Sequence, residues 1–70
     1  MTVEQILQAV RPRRRLLKIT QNDLAELSGV SLRTIKAIEE GNANPTIEIM
    51  LRILNILGLT LNTIERVNNG

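Results

Sequence analysis

"TQNDLAELSGVSLRTIKAIEEG", residues 20–41, decides the fold. Thr20 precedes an apolar pattern and Asp23 follows three residues later, the spacing at which a side chain and a backbone N–H cap one another at a helix start. Leu24, Ala25, Leu27 and Ser28 continue that helix, and Gly29 supplies the left-handed conformation that ends it. Ser31 caps a second helix two residues on, with Ile35 and Ile38 turned inward and Glu39 one turn beyond Ile35. Arg33, Lys36, Ala37 and Glu40 then share the opposite stripe, which is polar and carries two cations. Two short helices joined by a glycine turn brace one another at a steep angle, so that the second projects by its N-terminal half.

The flanks extend this pattern. Thr2 and Gln5 have capping-box spacing, and Val3, Leu7, Val10, Arg14 and Leu17 fall on one helical face. Arg14 is the odd member of that face; a guanidinium turned toward a core requires a carboxylate, and Glu39 is available for it. Pro12 lacks the N–H that would bond Gln8, which predicts a kink or break near residues 8–12; alternatively Pro12 opens the first true helix at its N1 position. Beyond the turn-rich "GNANPT", Thr46 caps a further helix in which only Glu48, Arg52 and Asn55 are polar between Ile47 and Leu57. Ile47, Met50, Leu51, Leu54 and Leu57 are expected to fill the core, leaving Ile49, Ile53 and Ile56 as a second apolar strip for a subunit interface. The alternative is a central helix wrapped on all sides. Residues 59–67 read as a short helix or as a strand; the strand reading is preferred, and such a strand, with Leu61, would pair with a second copy.

Size and composition narrow the function. Seventy residues make one domain spanning 1–70, with a thin core and neither cysteine nor histidine to staple it by disulfide or soft metal, so self-association is the expected supplement. Without histidine, cysteine or a clustered set of carboxylates, catalysis, metal binding and cofactor binding are not expected. The absence of Phe, Tyr and Trp removes the stacking platforms of single-strand and RNA modules. No apolar run is long enough for a membrane span and no signal-peptide pattern opens the chain, so a cytoplasmic protein is expected. The net charge is only +2, yet residues 11–36 hold seven basic side chains against two acidic ones, while the rest holds two against five. One part of the molecule attracts polyanions.

Gln21, Leu24, Ala25, Gly29, Val30, Ile35, Ile38, Glu39 and Gly41 at these spacings resemble the helix-turn-helix of the phage-repressor and XRE family of DNA-binding regulators, over residues 10–58, with the motif at 20–41. The resemblance implies an all-α, lambda-repressor-like bundle of four to five short helices that binds double-stranded DNA as a homodimer in the nucleoid. By position it implies a phosphate contact for Gln21, base-edge contacts for Ser31, Leu32, Arg33 and Ala37 with Lys36 on the same stripe, and a buried Arg14–Glu39 ion pair. Asn42 and Asn44 are turn residues first and phosphate donors second. The sequence departs from the family where Lys18 replaces a frequent glycine and Leu32 a frequent polar residue. The ends, "VRPRRRLLKITQ" and "ANPTIEIMLRILNILGLTLNTIERV", are similar to HipB-type antitoxins, which implies a dimerisation segment at 59–67 and a HipA-like kinase toxin as partner.

Overall fold

The computed structural model describes residues 2–59. Within them the chain forms five helices, α1 Val3–Gln8, α2 Val10–Leu16, α3 Gln21–Ser28, α4 Leu32–Glu39 and α5 Ile47–Ile56, with no strand among the described residues. Each is shorter than the roughly 12–15 residues at which an isolated helix begins to hold itself in water, so caps and packing must supply the rest. The side chains of Thr2, Thr20, Ser31 and Thr46 each accept the backbone N–H three residues on. Those of Gln5 and Asp23 return the bond to the cap residue's own N–H.

Helix ends are closed as regularly as helix starts. After α4 and α5, Gly41 (φ 79°) and Gly58 (φ 73°) adopt the left-handed conformation. Their flanking amides, Asn42 N to Ala37 O and Leu59 N to Leu54 O, both at 2.8 Å, bond back into the last turn. After α2 the same motif forms around Lys18, whose φ of 59° is the one positive value at a non-glycine among the described residues. Lys18 N bonds Arg15 O at 3.0 Å and Ile19 N bonds Arg14 O at 3.3 Å. A lysine is thus held where a Cβ is disfavoured.

The core is wholly aliphatic. Val10, Leu24, Val30, Ile35, Ile38, Ile53 and Leu57 form its centre, and Ile6, Met50 and Leu54 form a smaller cluster beside it, with Leu7 and Leu59 bordering both. α3 packs against both α4 and α5, while α1 and α2 close over α4. No helix of the described residues is long and apolar enough to cross a membrane.

Two packing expectations are corrected. Ile53 is 1% exposed and belongs to the core, not to a free interface strip, whereas Ile47 and Leu51, expected inside, are 56% and 43% exposed. Ile49 and Ile56 are half-buried against the core. The buried set Met50, Ile53, Leu54 and Leu57 lies diametrically opposite Glu48, Arg52 and Asn55 at 100° per residue. In the N-terminal segment, Val3 and Leu17 are exposed and Ile6 is buried. The interruption at Ala9 separates α1 from α2, so one continuous periodicity does not run through them. It also places Pro12 third in α2, where a missing N–H costs nothing, so Pro12 does not itself open the helix. Of residues 59–67, only Leu59 is described; the helix or strand expected there, with Leu61, lies outside the described residues.

Replacing Lys18 with glycine removes the left-handed strain at little cost to side-chain contacts, since Lys18 is exposed. Lys18→Gly is expected to stabilise the fold by about 1 kcal/mol, a rise of roughly 4–8 °C in Tm for a domain of this size, read by thermal unfolding.

Candidate nucleic-acid interface

The surface in question is built from α3, α4 and the turn between them. Thr20 and Asp23 fix the first turn of α3: Asp23 N donates to Thr20 Oγ1 at 3.0 Å and Thr20 N to Asp23 Oδ2 at 2.9 Å. Those hydrogen bonds, the backbone one first, hold the Asp23 carboxyl below its ordinary range. Gly29, at φ 73°, reverses the chain, and Ser28 Oγ donates to Leu24 O at 2.6 Å while accepting from Val30 N at 3.3 Å. Val30, 6% exposed, plugs the angle between the two helices. Ser31 then restarts the helix, accepting from Thr34 N at 3.1 Å.

This turn sets the roll of α4 about its own axis. Ile35 and Ile38 are pinned in the core, so Arg33, Lys36 and Glu40 stand exposed, with Leu32 and Ala37 half-buried at the edge of the same stripe. Arg33 and Lys36 make no hydrogen bond or ion pair among the described residues. Ser31 is exposed at the leading tip of α4, and Asn42 and Asn44 are exposed in the loop that leaves its far end.

The back of α4 is held by one carboxylate. Glu39, its last residue, has a fully buried side chain that collects four hydrogen bonds. Arg14 Nε donates to Oε2 at 2.7 Å and Arg14 Nη2 to Oε1 at 3.0 Å, a two-pronged fork. Arg11 Nε and Gln21 Nε2 donate to the same Oε1, each at 3.1 Å. Arg14 spends a further donor, Nη1, on the Ile19 carbonyl at 2.9 Å. Burial pushes the Glu39 carboxyl up, but the bonds from Arg14, Gln21 and Arg11 outweigh it and hold the group below its usual range. The Arg14 guanidinium is correspondingly held charged.

A projecting cationic helix braced by a second helix across a glycine turn is a helix-turn-helix, and residues 10–64 match the family described as helix-turn-helix. The chain belongs to that family. Among similar proteins is one named an uncharacterized HTH-type transcriptional regulator of Haemophilus influenzae, 44% identical over 81% of this chain and 59% of its own length. A second of that description, from Methanocaldococcus jannaschii, is 39% identical over 73% of this chain and 77% of its own. A third, from Methanothermobacter thermautotrophicus, is 41% identical over 70% and 71%. The chain therefore spans somewhat over half of the Haemophilus relative and most of the other two. No solved structure matches it significantly.

The arrangement of this helix-turn-helix places the anticipated residues in two groups. Arg33 and Lys36, with Ala37 and Leu32 beside them, form one face of α4 and Ser31 stands at its leading tip; Gln21 lies behind, tied to Glu39. Two members of the carboxylate cluster escaped the sequence reading, Arg11 and the Gln21 amide. The spacing of Arg11 and Arg14, three apart on one helix, was the available signal for the first. Arg13 was also missed: its Nε donates to Leu57 O at 2.8 Å, capping α5 from another helix, which no local pattern announces.

Glu39 makes a linkage prediction. Its folded-state pKa is depressed, so its stabilisation is fully present above the unfolded value of about 4.3 and is lost as pH falls through the lower folded value. Asp23 adds to this acid limb in the same sense. Urea midpoints are expected to be flat through neutral pH and to fall below about pH 4. Glu39→Gln is expected to cost about 3–5 kcal/mol at pH 7, because Arg14 is left as an unmatched buried charge.

Proposed function

We propose that this helix-turn-helix chain is a sequence-specific, double-stranded-DNA-binding transcription regulator that acts as a homodimeric repressor. The observation that carries the reading is the exposed face of α4, whose Arg33 and Lys36 are unengaged among the described residues while Ile35 and Ile38 are locked in the core. Such a helix can enter the major groove without disturbing the fold. In this reading Ser31, Leu32, Arg33, Lys36 and Ala37 meet base edges or the groove wall, Gln21 holds a backbone phosphate, and Asn42 and Asn44 reach the flanking phosphates. The concentration of positive charge in residues 11–36 supports the polyanion as ligand, and the similar proteins named as transcriptional regulators support the role.

Two copies would place their α4 helices in successive major grooves, with half-sites about 34 Å apart along the duplex. With Ile53 in the core, the exposed apolar surface that α5 offers a second copy is Ile47 and Leu51, while half-buried Ile49 and Ile56 lie on the opposite flank against the core. Leu61 and the tail would extend it. As a regulator acting on DNA, it would work in the cytoplasm, on the nucleoid.

A second reading, an antitoxin that neutralises a HipA-like kinase toxin and represses its own operon, draws on the similarity of the chain ends to HipB-type proteins and on the exposed Ile47–Leu51 pair. A kinase-like reading frame adjacent to this gene, and a stable complex between the two products, would favour it over a plain repressor.

Selection of bound sequences from random duplex DNA tests the main reading. Arg33→Ala is expected to relax preference at one base pair per half-site, a loss of about 1–3 kcal/mol of discrimination. Gln21→Ala is expected to weaken binding to all sequences alike. Unchanged preference in the first variant, or a base-specific loss in the second, would contradict these roles.

A further inference from the structure

The carboxylate of Glu39 carries one cation more than it needs. Arg14 alone neutralises it, with both prongs of its guanidinium on the two carboxylate oxygens and only 10% of its side chain exposed. Arg11 approaches the same group side-on, through Nε only. Its two terminal nitrogens make no hydrogen bond among the described residues, and 41% of its side chain is exposed. The cluster of two guanidiniums and one carboxylate keeps a net positive charge, and that charge sits on the outward arginine.

Gln21 is oriented by the same oxygen. Its Nε2 bonds Glu39 Oε1, and the opposite amide rotamer would set a carbonyl oxygen against a carboxylate, so the NH2 end is locked in place. One of its two N–H groups is used; the other is left to donate. Arg11 Nε and Gln21 Nε2 both lie 3.1 Å from one atom, so they are separated by no more than two hydrogen-bond lengths. Neither residue belongs to the α4 stripe. Arg11 comes from the first turn of α2 and Gln21 from the first residue of α3.

We infer that Arg11 is a DNA-binding residue, forming with Gln21 a two-donor clamp on a backbone phosphate that Glu39 aims from behind. Guanidinium forks match phosphate oxygens in pairs, and Arg11 presents its two free terminal nitrogens in that fashion. An arginine that served only to neutralise Glu39 would duplicate Arg14. Glu39 then has two tasks: it ties α2 and α3 to the end of α4, and it holds two phosphate donors at a fixed offset from the helix that reads sequence. The inference rests on the DNA-binding reading above and extends it to a residue outside the motif at 20–41.

The test compares wild type, Arg11→Gln and Arg11→Lys on one selected duplex over a range of salt, and on copies of that duplex carrying a single uncharged methylphosphonate at each backbone position in turn. Arg11→Gln is expected to reduce the magnitude of the slope of log K against log salt by about 0.9 per bound protomer, a loss of roughly eightfold per protomer at 0.1 M salt. Base preference should be unchanged. Arg11→Lys retains the charge and should keep most of the slope. The methylphosphonate that weakens wild type most in the Gln21 region should weaken Arg11→Gln little further. Thermal midpoints, measured alongside, ensure that every protein is folded at the binding temperature. If wild type binds duplex DNA and Arg11→Gln shows the same slope, or if its loss adds fully to that of every methylphosphonate, the clamp is refuted while the DNA-binding reading stands. If wild type binds no duplex DNA at all, both fall together.

Discussion

A single buried carboxylate organises this molecule. Glu39 closes α4, and through it the helix is tied to Arg11 and Arg14 of α2 and to Gln21 of α3, while Arg14 passes the connection to the Ile19 carbonyl. Burying a charge in a protein of this size is costly, and the cost is offset because the group collects four hydrogen bonds, three on Oε1 and one on Oε2, three of them from guanidiniums. No buried side-chain polar atom among the described residues lacks a partner. The consequence is positional. The near end of α4 is set by the Gly29 turn and the Val30 plug, the far end by Glu39, and between two fixed ends the helix has no freedom to roll.

That rigidity has to be assembled from weak pieces. The core contains no ring, and its helices are six to ten residues long. Hydrophobic burial is therefore spread over many small aliphatic contacts, and the definition that aromatic packing often supplies comes instead from chain punctuation. Threonine and serine caps start α1, α3, α4 and α5, and left-handed residues follow α2, α3, α4 and α5. Lys18 occupies one of those stops despite its side chain.

The basic residues divide the labour among themselves. Arg13 is a structural cap on α5 and Arg14 is a structural counter-charge; both are spent on the protein's own acceptors. Arg33 and Lys36 are spent on nothing in the described structure. Arg11 stands between the groups, anchored by one nitrogen and open at two. Counting charge along the sequence identifies a polyanion-binding segment, but it does not separate these three kinds of cation, because the separation depends on which acceptor lies within hydrogen-bond reach.

Local chemistry is what the sequence by itself determined. The caps at Thr2, Thr20, Ser31 and Thr46, the stop at Gly29 and the inward direction of Ile35 and Ile38 involve residues three or four apart, where helix geometry dictates who meets whom. The need of Arg14 for a carboxylate was legible too, since a lone guanidinium on an apolar face has few remedies. Tertiary structure alone decided the phase of α5, where aliphatic residues on nearly every side left the pattern ambiguous and only the stripe of Glu48, Arg52 and Asn55 pointed away from the core. It decided, too, that Arg11, Arg13 and Gln21 find acceptors 18 to 44 residues away. Contacts of that range depend on where several helices come to rest together, and no periodicity within one helix contains that information.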